Sequence, residues 1–241
     1  MVVFLEEEQV VAGDIKTADQ VRTQKIPAWL SRHLKAEDLP KIANAVRQAE
    51  SGSTGEILPV IVHHSQAYRS AKRIFWLVLL LLVTPIFMSV DHIYSLAILA
   101  VFVLFYILDM AFPSKLSGMP FLVKLLDPAD VTEGVERRAA LKFEMLRVQH
   151  TSRRTGVMIF ISYFERRALI LGDKAIAEKI KSEEWNQVLG GLLARIRAGQ
   201  MSEGLESAIL EMGRILKVHF PSGQEEPIDE ICNELVIMDE I

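Results

Sequence analysis

The chain of 241 residues has a single cysteine, Cys232, which excludes an intramolecular disulfide and fits a reducing compartment. Cys232 stands among acids, and a reactive thiol needs an electropositive setting, so it is expected to be inert. No phosphate loop of the G-x-x-x-x-G-K-[ST] kind, no Cys with an Arg six residues on, and no nucleophile elbow occurs; Gly52-Ser-Thr-Gly55 has the wrong spacing. The first residues carry acids, Glu6 to Glu8, where a secretory leader would carry basic side chains, so export of the folded part is not expected. Net charge is −4 and pI about 5.9, which argues against the basic face of a nucleic-acid binder. Residues 222–241 lack Lys and Arg altogether.

Charge is also scarce in residues 74–108, where Asp91 is the only formally charged side chain. About 20 apolar residues cross a bilayer as a helix, so residues 74–90 and 93–112 read as two membrane spans joined at Asp91 and His92. Trp76 to Val83 shows no polar face of the kind a surface helix needs. Pro85 is tolerated in such a span where neighbours satisfy the freed carbonyl. Arg69, Lys72 and Arg73 precede the pair, Lys115 and Lys124 follow it, and the turn has no basic residue. The positive-inside rule then predicts a multi-pass protein of the inner (cytoplasmic) membrane, with both termini cytoplasmic and the lipid bilayer as a partner.

Around the expected hairpin (residues 74–112), periodicity predicts an N-terminal arm (residues 1–37), the first part of an α/β domain (38–68), its second part (131–221) and an acidic tail (222–241). Residues 26–30 could form a short docking segment within the arm. Leu39, Ile42, Val46 and Ala49 recur at helical spacing, with Asp38 as a cap and Pro40 in the first turn. Residues 57–62 read as a strand that Pro59 confines to an edge or bulge. A helix from Thr132, a strand at 157–161, a turn at Tyr163 to Glu165 and a returning strand at 167–171 follow. Two amphipathic helices come next, with Ser182 and Ser202 as candidate caps. A strand, a crossover containing a helix and another strand normally make a right-handed parallel unit. The expected fold class is therefore α/β: a small mixed β-sheet with flanking helices, interrupted by the two-helix transmembrane hairpin. The tail's charge favours a solvated run, while Ile228, Ile231, Leu235 and Ile237 offer a second reading as a docking segment.

The strings Ile42-Ala-Asn-Ala-Val46, Ala49-Glu50, Thr54-Gly-Glu-Ile57 and Val60-Ile-Val62 stand before the hairpin. Glu136-Arg-Arg-Ala139, Thr155-Gly-Val157, Glu165-Arg166, Leu171-Gly-Asp173 and His219-Phe-Pro221 follow it. Together they resemble the TPM domain, in the branch of bacterial membrane proteins where a transmembrane hairpin splits that domain. The resemblance covers roughly residues 38–66 and 133–235. Proteins with this domain include a thylakoid protein with acid phosphatase activity, photosystem II repair factors and a receptor modulator, so the shared fold does not fix the chemistry. LemA-like membrane proteins are the candidate partners that the resemblance implies.

Candidate chemistry rests on carboxylates. With the first two strands parallel and the third returning beside the second, Glu56, Thr155 and Asp173 share one sheet edge. Calcium takes several oxygen ligands, which Glu56 and Asp173 with Glu234 would supply. Capping of the next helix by Asp173 and an ion pair for Glu56 are the structural alternative. His63 and His64 are adjacent at a strand end and should point to opposite faces, which disfavours zinc. At the other end of the sheet, Tyr163, Phe164, Arg166 and Arg167 suit a headgroup interface. The expected function is a membrane-anchored, cytoplasm-facing interaction or scaffold module in a membrane protein assembly, with a homo-oligomer among the expected partners. The alternative is a metal-assisted, phosphatase-like hydrolase using the distal carboxylates.

Overall fold

Runs of β-branched and aliphatic residues at 57–62 and 157–161 become the two inner strands of a four-stranded sheet in the computed structural model. The structure describes residues 26–65, 76–81, 83–85, 92–111, 127–222 and 231–239. The strands are β1 (Glu56–Val62), β2 (Gly156–Ser162), β3 (Arg167–Gly172) and β4 (Val236–Met238), in the order β3-β2-β1-β4. β1 runs parallel to β2, with Val60 opposite Phe160, and parallel to β4, with Val60 opposite Val236. β3 returns antiparallel, with Leu169 opposite Phe160. The sheet is mixed, and both inner strands are buried along their whole length.

Both faces are covered, which explains why the inner strands are continuously apolar instead of alternating. On one face Ile57, Ile61, Ile159 and Ile170 pack with residues of α1 (Leu39–Glu50), α5 (Ser182–Arg197) and α6 (Met201–His219). On the other, Leu58, Val60, Met158 and Phe160 pack with Val135, Ala139 and Phe143 of α3 (Pro128–Met145). The short α4 (Lys174–Lys179) links β3 to α5. Helices α1 and α6 meet closely at Gly213, where an added Cβ would stand 2.5 Å from Ala49. Gly therefore sets the depth of this helix contact.

Two compact units divide the chain, Met1–Ser65 with Val135–Ile241 and, separately, Gln66–Gly134. The second contains α2 (His92–Ala111), where Trp76 meets Phe102 and Tyr106 edge-on with ring centroids 5.3 and 5.7 Å apart. Among the described residues no helix is long and apolar enough to cross a membrane. This corrects the two-span hairpin at 74–112 and, with it, the placement as a multi-pass inner-membrane protein with cytoplasmic termini. Helix α2 opens on His92 and holds Asp109 in its last turn. The apolar stretch between, residues 93–108, rises about 24 Å, short of the roughly 30 Å of a hydrocarbon core.

Other expectations shift in detail. The arm contributes to the core, since Leu30 and Leu34 are fully buried. Asp38 precedes α1 but turns its carboxylate back onto the Lys35 N–H and Lys41 Nζ, both at 3.0 Å. Ser182 and Ser202 lie inside α5 and α6, whose N-caps are Lys181 and Gln200. Part of the expected tail is built into the sheet as β4; residues 223–230, including Ile228, lie outside the described residues.

Pro59 stands in an inner strand, and the register explains how. Successive N–H groups of β1 point alternately to its two neighbours. That of Glu56 goes to Thr155 O on the β2 side and that of His63 to Met238 O on the β4 side. Position 59 therefore faces the β4 side, one residue before β4 pairing begins at Val60. The missing donor leaves no ladder bond unmade. Two residues earlier, the N–H of Ile57 on that side is taken by the buried carboxylate of Glu50 at 2.7 Å.

Candidate functional site

The amino ends of β1 and β2 hold the carboxylates singled out in the sequence. Glu56 and Asp173 are both buried, and both anchor to β2 through backbone bonds: Glu56 N–H to Thr155 O at 3.1 Å, Asp173 N–H to Gly156 O at 2.9 Å. The Thr155 hydroxyl donates to Thr54 O. Asp173 is the N-cap of α4, its Oδ1 accepting from Lys174 N–H at 2.6 Å. Its Oδ2 is buried without a hydrogen-bond partner among the described residues. Burial pushes the Asp173 carboxyl upward, against the Lys174 N–H and the charges of Arg154 and His150.

Glu234 does not join this edge. It is exposed, two residues before β4, while Asp173 follows β3 at the opposite margin of the sheet. Three strand spacings, about 14 Å, separate those margins. Calcium ligands must stand at 2.3–2.6 Å from one ion, so the three-carboxylate set does not assemble. Among the described residues no group of three or more His, Cys, Asp or Glu is placed to hold a metal ion. Cys232 is free and half-buried.

The opposite end of the sheet gathers the residues whose grouping sequence reasoning missed. Beyond Val62 the chain bends, so His63 and His64 leave the alternation of a strand. Their rings lie 3.9 Å apart instead of on opposite faces. Trp29 stacks on His63 at 4.5 Å with an interplanar angle of 6°. Tyr163 tilts against Trp29 at 5.1 Å and against His33 at 5.7 Å. His63 Nδ1 stands 3.0 Å from Asp239 Oδ1. Trp29 Nε1 is buried with no hydrogen-bond partner among the described residues. The advance signals for this shelf were the expected docking segment at 26–30 and the interface role expected of Tyr163.

Beneath the shelf, polar groups close on one another. Ser65 N–H donates to Glu165 Oε1 at 3.1 Å, and the Ser162 hydroxyl donates to Glu165 Oε2. With that proton committed, the Ser65 hydroxyl is the donor to Ser162 Oγ at 2.5 Å. His64 is buried against the Phe164 ring at 4.4 Å. Burial, with the neighbouring His63, holds the His64 ring below its ordinary pKa; Glu165 and Asp239 pull the other way. The rings of Tyr163 and Phe164 thus contact this cluster, while Arg166, on the turn at φ 54°, and Arg167, the first residue of β3, are exposed. Their assignment to lipid headgroups depended on the membrane hairpin and goes with it.

No protein-family model matches the chain, and no curated protein matches it. A solved structure that it resembles is the NMR structure of BA42 protein from the psychrophilic bacterium Bizionia argentinensis, at 20% identity and a TM-score of 0.53. The likeness covers 85% of this chain and 94% of that one. It shows the fold alone.

Proposed function

We propose that the chain is a TPM-like protein-interaction module that binds a protein partner on the aromatic shelf of Trp29, His33, His63 and Tyr163. The observation that carries this reading is the stacked Trp29–His63 pair, with a buried Trp29 Nε1 that has no partner among the described residues, at the carboxyl ends of parallel strands. Ligands of open α/β sheets bind at that end. Tyr and Trp join a large apolar face to a polar tip and dominate binding hot spots.

Polar groups at both ends of the sheet serve structure. Asp173 caps a helix, and Ser65, Ser162 and Glu165 bond one another. A LemA-like protein is the candidate partner that the resemblance implies. Calorimetric titration of the purified chain with a LemA-like protein tests the reading. Saturable binding that falls at least about tenfold in Trp29→Ala supports it, a loss of the size a hot-spot aromatic carries. Turnover of a generic phosphoester that requires a divalent cation and disappears in Asp173→Asn would favour the hydrolase and overturn the module.

A further inference from the structure

Strand β4 is a short element in an unusual place. It is three residues long and, among the described residues, pairs with the last residues of β1. Its side chains alternate between the two cores: Leu235 and Ile237 join the face of α1, α5 and α6, while Val236 joins the face of α3. Its far end is fixed twice by one residue, through His63 N–H to Met238 O at 2.9 Å and His63 Nδ1 to Asp239 Oδ1 at 3.0 Å.

The β1 edge also limits what can lie on it. Towards its amino end, Pro59 has no N–H to give, and the Ile57 N–H is held by Glu50. A strand seated there finds ladder partners only alongside Val60, Ile61 and Val62, with His63 as the closing donor. The edge thus has a defined length, a defined register lock and an apolar core on each face to receive alternate side chains. Those are the parts of a β-augmentation site, in which main-chain bonds give affinity and alternate side-chain pockets give specificity.

We propose that the β1 edge is a strand-acceptor site for a short extended segment of a partner protein, and that residues 235–239 are its resident competitor. The proposal rests on the reading of the chain as an interaction module and names a second surface of it. The ligand chemistry is displayed by the resident segment Leu235-Val-Ile-Met-Asp239: apolar residues on alternate faces, then a carboxylate one residue beyond the strand to meet His63. The segment runs parallel to β1. A tethered segment acts at an effective concentration in the millimolar range, so a partner strand at micromolar concentration enters only when β4 is out.

The test uses the full chain and a fluorescent synthetic peptide of residues 231–239 carrying Cys232→Ser. In the chain, Ile237→Asp places a charge in an apolar core position and expels β4. Peptide anisotropy is expected to show at least about tenfold tighter binding to Ile237→Asp than to the unsubstituted chain, whose edge is filled. A peptide with Asp239→Asn is expected to bind that variant several-fold more weakly. A folded Ile237→Asp chain that does not bind the peptide overturns the proposal. Where Ile237→Asp fails to fold, hydrogen exchange on the unsubstituted chain decides. Amides of Val236 and Met238, which face β1, exchanging at least about tenfold faster than those of Val157 to Ile161 mark β4 as separately opening; equal protection makes it a fixed strand and overturns the acceptor. A chain that fails here yet binds a LemA-like protein through Trp29 loses the acceptor and keeps the interaction module.

Discussion

Glu165 Oε1 accepts the backbone N–H of Ser65 at 3.1 Å, so the β2–β3 turn is tied to the chain leaving β1. The other carboxylate oxygen takes the Ser162 hydroxyl, and all three residues are buried. Glu165→Ala leaves those donors without an acceptor in the interior. Each buried unsatisfied group costs about 1–3 kcal/mol, so urea denaturation is expected to show a loss of about 2–4 kcal/mol. A loss below about 0.5 kcal/mol, the scale of an ordinary surface substitution, would mean that the ring of bonds does not hold the turn.

Two glycines in helices should respond in opposite directions. At Gly213 an added methyl meets Ala49 at 2.5 Å, whereas at Gly190 nothing stands within 4 Å. Gly213→Ala is expected to cost about 1–3 kcal/mol through overpacking. Gly190→Ala, inside α5, should gain about 0.5–1 kcal/mol from helix propensity. Thermal unfolding of the two variants checks the sign of each.

Acid sensitivity should trace to His64. Its folded pKa is depressed, chiefly by burial, so the unfolded state takes up the proton first as pH falls. The contribution of the neutral ring to stability is complete above about 6.5, the unfolded value, and is lost as pH falls from there through the lowered folded value. Denaturation midpoints measured from pH 8 to pH 5 should decline for the unsubstituted chain, and the decline should be shallower in His64→Phe. Parallel profiles would move the acid sensitivity to another group.

Asp173 separates capping from ligand chemistry. Asn is as good an N-cap as Asp, while Ala costs about 0.5–2 kcal/mol. Because burial holds the Asp173 carboxyl above its ordinary range, ionising it opposes folding, and the neutral Asn escapes that cost. Asp173→Asn is expected to be at least as stable as the unsubstituted chain at pH 7, and Asp173→Ala less stable. A destabilised Asp173→Asn that divalent cations no longer protect would give the carboxylate a ligand role instead.

The inner strands were legible because Ile57 to Val62 and Val157 to Ile161 are apolar runs of strand length, and the parallel pairing followed from the crossover rule. Strand β4 was hidden, since three residues in an acidic stretch carry no usable period. His63 and His64 were misjudged because the period-two rule ends with the strand, and the chain bends after Val62. Leu30 and Leu34 sit in a stretch too short and irregular to announce itself as core. The apolar run at 74–108 read as two spans on composition; the helix drawn from its second half carries His92 and Asp109 near its ends. The distal edge of Glu56, Thr155 and Asp173 was deducible from topology, but the shelf of Trp29, His33, His63 and Tyr163 assembles from three distant segments that no local motif connects.

The central claim is that the aromatic shelf binds a protein and that its neighbouring polar groups serve structure. Isothermal titration of the purified chain with a LemA-like protein, repeated with Trp29→Ala and Tyr163→Ala, measures it directly. Binding that saturates for the unsubstituted chain and weakens at least about tenfold in each variant, about 1.4 kcal/mol or more, is the predicted result. Binding unchanged by both substitutions, or none alongside divalent-dependent phosphoester turnover that Asp173→Asn abolishes, would contradict it.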